Sequence, residues 1–143
     1  MKLPQVELGL RRPLPIEVTA VTLPFWKSLE SGQFCVPRCK HCDRLSFPPR
    51  KICPQCHGDK FDWQPLSGRG LLYSATKVHS SPSIYGILSP VRVAIVDLEE
   101  GLRLLTRWLP SGADPCLDCP VQLVITRHPD GHHYAAREAR THT

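Results

Sequence analysis

No stretch of this chain approaches the roughly 20 consecutive apolar residues that a membrane-spanning helix needs. Its first residues, Met1-Lys-Leu-Pro-Gln-Val-Glu, lack the charged-then-apolar pattern of a secretion signal. Aromatic residues are sparse, with four Phe, three Tyr and three Trp, and Tyr73, Trp108 and Tyr134 are the strand aromatics, too thin a set for the stacking platform of a single-strand nucleic-acid binder. A Gly-x-Ser-x-Gly elbow, a phosphate-cradling glycine loop and a paired-carboxylate motif are all missing. So are internal repeats and low-complexity tracts. What remains is an ordinary globular composition: 143 residues, 41% of them hydrophobic, enough for one modest core. The expectation is a cytoplasmic protein with no catalytic constellation of its own.

Cysteine is the residue present in unusual number. Seven occur, an odd count that argues against a disulfide framework and for thiolate chemistry in a reducing compartment. Four form two pairs, Cys39-Lys-His-Cys42 and Cys53-Pro-Gln-Cys56. A C-x-x-C turn aims two thiolates at one point, and two such turns supply the tetrahedral sulfur set of a structural zinc site. With Cys39, Cys42, Cys53 and Cys56 all bound to one Zn²⁺, no position is left for an activated water. The linking stretch Asp43–Ile52 has the length of a short β-hairpin. Cys35 lies outside the C-x-x-C geometry and reads as a small apolar strand residue.

The formal charge of +5 counts these cysteines as neutral; four bound thiolates and one Zn²⁺ subtract two, leaving +3. Arg38, Lys40, Arg44, Arg50, Lys51 and Lys60 cluster around the ribbon and offset its negative charge. A mildly basic surface suits an anionic ligand or an acidic partner and gives little support to nucleic-acid binding.

Along the chain, residues 1–22 carry Pro4, Pro13 and Pro15 without helical periodicity and read as an extended arm. Residues 23–66 read as a short helix plus the zinc ribbon. Pro24 near the first turn and Gly32 after the last are helix start and stop signals. Phe25, Trp26 and Leu29 form one apolar face, which either packs on its own domain or presents Phe25 and Trp26 to a partner chain. From Ser67 the pattern turns to period two. Gly70–Val78, Val91–Leu98, Leu102–Leu109, Val121–Arg127 and Tyr134–Glu138 read as five strands, with turns at Glu99-Glu-Gly101 and Pro129-Asp-Gly131. The fold class is therefore mainly β: a short N-terminal helix, a rubredoxin-like zinc ribbon, then a five-stranded OB-fold barrel over residues 67–143.

In order, the chain presents Leu29-Glu-Ser-Gly32, Arg38-Cys-Lys-His-Cys42, Phe47-Pro-Pro-Arg50, Cys53-Pro-Gln-Cys56, Ser67-Gly-Arg-Gly70, a Tyr73–His79 strand, Val93-Ala-Ile-Val-Asp-Leu-Glu-Glu-Gly101 and Leu104-Leu105. This series resembles the acyl-CoA-associated OB-fold family with a rubredoxin-like zinc ribbon, domain-of-unknown-function family thirty-five, over roughly residues 23–140. The resemblance implies a subunit bound to a thiolase-like enzyme, or to a hydratase of CoA esters, whose catalytic residues belong to the partner. The pathways it implies are archaeal mevalonate synthesis, steroid side-chain degradation, anaerobic toluene degradation through benzoylsuccinyl-CoA, and acetylation of phloroglucinol rings. One departure is visible: the family's Ile-Gly-Met-Pro-Val-like turn is replaced by Cys116-Leu-Asp-Cys119-Pro-Val.

Cys116 and Cys119 admit three readings: a redox pair, a second metal site recruiting His128 and His132, or plain loop cysteines. His79 precedes the apolar loop Ser80–Pro90, and loops between the first two strands of an OB-fold often contact ligands. His79, Tyr85, Ile87 and Leu88 are accordingly candidates for burial against a partner or acyl group, with folding back on the barrel end as the alternative. Arg69, Arg92, Arg103 and Arg107 either approach CoA phosphates or face solvent. The leading functional expectation is a non-catalytic zinc subunit of a thiolase-like acyltransferase complex that meets a CoA ester only together with its partner. A single-stranded nucleic-acid module and a stand-alone acyl-CoA binder are the alternatives.

Overall fold

The computed structural model describes residues 2–9, 12, 18–78, 91–109 and 116–139. Its elements are β1 (Gln5–Glu7), α1 (Leu23–Glu30), β2 (Phe34–Cys39), β3 (Phe61–Leu66), β4 (Arg69–Val78), β5 (Val91–Leu98), β6 (Arg103–Arg107), β7 (Pro120–His128) and β8 (Gly131–Glu138). No helix among the described residues is long and apolar enough to cross a membrane.

Helix α1 ends where the sequence signals it. Gly32 takes φ +85°, and the amides of Gly32 and Gln33 donate to the Leu29 and Ser28 carbonyls at 3.0 and 2.8 Å. These paired bonds satisfy the last carbonyls of the helix, and the left-handed backbone is one that glycine adopts without a steric penalty. The chain then runs straight into β2, whose residues pair antiparallel with β3 from Phe34↔Leu66 to Cys39↔Phe61. Between these strands lies the metal-binding segment. The hairpin expected over Asp43–Ile52 does not form: one isolated bridge, Arg38↔Leu45, is the β-pairing this stretch makes. Pro48 and Pro49 supply no amide donors, so a ladder cannot continue there.

Strands β4, β5 and β6 follow one another antiparallel; β7 pairs with both β4 and β8. A bridge from Trp108 to Ala136 joins the end of β6 to β8. The strand order around the cylinder is therefore β4-β5-β6-β8-β7 and back to β4, a closed five-stranded OB-fold barrel. Alternation decides what fills it: Ala94, Val96 and Leu98 of β5 and Leu102 and Leu104 near β6 point inward, as do Val121, Leu123 and Ile125 of β7. β4 carries a bulge between Leu72 and Ser74, which turns Tyr73 to the outside.

Within the expected arm, residues 2–9 include a short strand that is tied to the barrel. β1 runs parallel to β7, Gln5 opposite Ile125, while Leu3 is buried in the common core and its amide donates to the Gly32 carbonyl at 2.9 Å. Further on, Arg12 grips the β7–β8 turn: its backbone amide donates to Asp130 Oδ1 at 3.0 Å and its guanidinium to the Asp130 carbonyl at 2.8 Å. An aromatic cluster of Phe25, Phe34, Phe47 and Tyr134 spans helix, ribbon and barrel.

Candidate metal centre and its surroundings

The two C-x-x-C turns are near copies of each other. The Cys39 carbonyl accepts from the Asp43 amide at 2.9 Å, and the Cys53 carbonyl accepts from the His57 amide at 2.9 Å. Each first cysteine also donates its own amide five residues ahead, Cys39 to Arg44 at 2.9 Å and Cys53 to Gly58 at 2.8 Å. Asp43 and His57, at equivalent places, take φ of 62° and 64°. Turning each loop back this tightly sends its two thiols to one side. The four sulfurs consequently converge, all within 4.8 Å of one another, with Cys39–Cys56 at 3.4 Å and Cys42–Cys53 at 3.6 Å. Tetrahedral zinc with Zn–S near 2.3 Å requires S–S edges of about 3.8 Å. The donor set fits.

Electrostatics favours a cation at this point. Backbone amides of Cys56 and Gln55 aimed at the Cys53 sulfur pull its pKa down to about 6. For Cys56 the Gly58 amide also pulls downward, but the neighbouring sulfurs and desolvation together outweigh it and push the pKa up to about 12. Four sulfurs this close cannot all carry negative charge unless a divalent cation balances them. Gly58 packs over the set: a β-carbon there would lie 3.4 Å from Cys56 Sγ and 3.6 Å from Cys39 Sγ. Cys35 stays apart, buried on β2, its thiol pushed up by that burial. Around the rim, Arg38 pairs with Asp43 and Asp62 at 3.5 and 3.6 Å and Lys40 with Asp62 at 3.5 Å, exposed pairs of small energetic value.

Other expected residues are distributed differently. Phe25, held out as a partner contact, is 2% exposed and forms part of the protein's own core. The reason is local: buried Ser28 donates to the Phe25 carbonyl at 2.6 Å and accepts the Cys35 amide at 3.2 Å, which rolls the Phe25–Ser28–Leu29 side of α1 onto β2. Trp26 is half-buried beside His133. His79, Tyr85, Ile87 and Leu88 lie outside the described residues.

Of the four arginines weighed as phosphate ligands, Arg69 pairs with Glu99 at 3.2 Å and Arg103 with Asp97 at 2.6 and 3.0 Å. Arg103 also covers the Tyr73 ring at 3.7 Å. Trp108 and Tyr134 face inward, so the strand aromatics make no stacking groove among the described residues. The second metal site is not formed either: Cys116 and Cys119 are bonded to each other, and His128 hydrogen-bonds Thr126 at 2.8 Å. Among the described residues the four ribbon cysteines make the single cluster suited to a metal.

The sequence reading missed the acidic latch on the β5–β6 turn. Glu99 Oε1 accepts from the Ser67 hydroxyl at 2.7 Å, and Glu100 Oε2 from the Ser67 amide at 2.7 Å. The Ser67 hydroxyl and then Arg69 hold the Glu99 carboxyl below its ordinary range. Two adjacent glutamates before a turn glycine were the available signal.

A sulfur-only ribbon fused to a closed OB barrel defines a zinc-ribbon protein whose metal is structural. Residues 26–62 match the family described as ChsH2, rubredoxin-like zinc ribbon domain, and residues 63–126 that described as ChsH2, C-terminal OB-fold domain. The chain belongs to the DUF35 family. It is 37% identical over 82 residues to a DUF35 domain-containing scaffold protein of Methanocaldococcus jannaschii, a match covering 55% of this chain and 57% of that one. With benzoylsuccinyl-CoA thiolase subunit BbsA of Thauera aromatica it shares 35% identity over 89 residues, 62% of this chain and 59% of the relative. The matches thus span somewhat over half the length of these curated relatives. A solved structure titled Ltp2-ChsH2(DUF35) aldolase superposes with a TM-score of 0.76 at 25% identity, covering 88% of this chain and all of that one.

Proposed function

We propose that this chain is a non-catalytic, zinc-binding accessory subunit of a thiolase-like acyl-CoA complex, of the kind that makes or breaks carbon–carbon bonds by acyl transfer. The observation that carries the reading is the closed S₄ site: with one Zn²⁺ on Cys39, Cys42, Cys53 and Cys56, sulfur fills every coordination position, so the ion organises structure and activates no water. The names of the relatives supply the direction, a scaffold protein and a thiolase subunit. The nucleophile and acid–base groups then belong to the partner. This chain contributes a rigid surface that positions the acyl acceptor and excludes water.

In this reading residues 1–22 are an arm, 23–66 the helix and ribbon, and 67–143 the barrel. Trp26 and the loop carrying His79, Tyr85, Ile87 and Leu88 are the proposed contacts to the partner or its acyl substrate. A CoA ester binds at the joint site and not to this chain alone. The complex is cytoplasmic.

Reconstitution tests it. The thiolase-like partner, isolated with and without this chain, is assayed for acyl transfer; activity is expected only for the pair. Equal rates overturn the proposal. Calorimetry of the isolated chain with CoA esters is expected to show no binding, and tight binding would favour the stand-alone binder instead.

A further inference from the structure

Immediately before β7 begins, the chain makes a third C-x-x-C turn with a different outcome. Cys116 and Cys119 are joined as a disulfide, with Cα atoms 5.6 Å apart, inside the range that needs no backbone movement. Cys116 is exposed and Cys119 half-buried. The bond closes a loop whose tip, Leu117, is 66% exposed and whose next residue, Asp118, takes φ +62°. Two backbone bonds fasten the loop to the bulged part of β4: the Asp118 amide donates to the Leu72 carbonyl at 2.8 Å, and the Leu72 amide donates to the Cys119 carbonyl at 3.0 Å.

The same polypeptide must keep four other cysteines as thiolates to hold its metal. An environment that leaves such a sulfur cage intact is a reducing one, and disulfides found there are characteristically transient or redox-sensing. A solvent-facing disulfide in a short turn is open to attack by small thiols. The metal-site cysteines do not share that exposure to exchange once bound to a cation.

We propose that Cys116 and Cys119 form a reversible thiol–disulfide site, exchanged by small thiols and disulfides while the four ribbon cysteines remain on the metal. In the reducing direction a thiolate attacks the exposed Cys116 sulfur, the Cys116–Cys119 bond breaks, and Cys119 leaves as a thiolate that takes a proton from water. A second thiol then attacks the mixed disulfide, releasing Cys116 as a thiol and one molecule of small disulfide. Two thiols are oxidised and the protein disulfide is reduced by two electrons and two protons. Opening the bond leaves the Leu117–Asp118 tip held by the one Asp118 bond to Leu72, with the Cys119 carbonyl bonded to Leu72 behind it and the left-handed backbone at Asp118 free to relax. The oxidised state therefore fixes how Leu117 is presented. The inference stands independently of which enzyme the chain assembles with.

The test uses the full, zinc-loaded chain equilibrated in glutathione and glutathione disulfide at a series of ratios. Free thiols are trapped with N-ethylmaleimide and located by peptide mass spectrometry, with zinc measured in parallel. Two adducts, on Cys116 and Cys119, are expected to appear together as glutathione rises, with zinc constant. Full labelling of both in excess glutathione disulfide overturns the proposal, as does no labelling in excess glutathione or zinc loss in step with the transition. A Cys116→Ser chain is expected to lose the transition and keep its zinc. Amide exchange at Asp118 is expected to quicken about tenfold or more on reduction; unchanged exchange overturns the coupling to the tip.

Discussion

The ring of Tyr134 stands edge-on to that of Phe25, centroids 5.9 Å apart at 88°. One ring comes from the last barrel strand and the other from the helix that feeds the ribbon. Phe34 meets both, at 5.2 and 5.1 Å. Edge-to-face pairs of this kind add to the burial of apolar area, so helix, ribbon and barrel are held by one shared core.

Truncating Phe25 to Ala empties the centre of that cluster. The expected cost is about 3–5 kcal/mol, seen as a single unfolding transition at lower temperature for zinc ribbon and barrel together. Two separate transitions, with the barrel unaffected, would show that the modules are energetically independent.

Removing one metal ligand acts more severely. Metal binding contributes on the order of 10–16 kcal/mol of folding free energy in zinc-finger peptides. Cys53→Ala is expected to drop zinc from one ion per chain to none, to unfold the ribbon and to abolish co-purification with the partner proposed above. Retention of stoichiometric zinc in this variant would refute the four-cysteine assignment. Cys35→Ala is expected to leave zinc unchanged.

His133 gives the fold a measurable acid sensitivity. Burial, chiefly, drives its pKa down to about 4, and the positive charges of Arg107, His128 and Arg12 act the same way. Its ring lies stacked on Tyr134 at 4.8 Å and tilted against Trp26 at 5.8 Å. A folded pKa below the unfolded value near 6.5 means that unfolding takes up a proton in between. The stabilisation is complete above pH 6.5 and is lost as pH falls from 6.5 to about 4. Between these values wild type is expected to lose stability relative to His133→Phe, as measured by urea unfolding at stepped pH. Parallel pH profiles would remove His133 from the account.

Two glycines separate close approach from backbone freedom. At Gly70 a β-carbon would collide with the Asp97 carbonyl on the paired strand, and Gly70→Ala is expected to cost about 3 kcal/mol or more. Gly101 has φ +92° but open space around it, so Gly101→Ala should cost only about 1–2 kcal/mol. Chemical denaturation of both variants checks the order; a reversed ranking would contradict the register of β4 against β5.

Strands such as β5 were legible because alternation assigns each residue to one face, and the ribbon because C-x-x-C spacing dictates where its sulfurs go. Other features carried no such code. Phe25 and Trp26 both fit the apolar side of an eight-residue helix, and it is the Ser28 hydrogen bonds that choose between them. Gln5-Val-Glu7 has no strand signature; β1 exists because β7, over a hundred residues on, offers it an edge. The pair Cys116–Cys119 has the same spacing as the metal ligands, and only its distance in space from them separates the two chemistries. Asp43–Ile52 had hairpin length, yet its prolines deny it a ladder.

Among the described residues, the cylinder is stitched where β6 meets β8 by one bridge, Trp108 to Ala136, and by the Leu109 amide donating to the Ala136 carbonyl at 2.9 Å. Every other strand boundary carries a longer ladder. Thermal opening of the wall is expected to start at this short seam, and Trp108, one of its two bridge partners, is buried. With Trp26 and Trp63 replaced by Phe, Trp108 fluorescence reports the earliest opening.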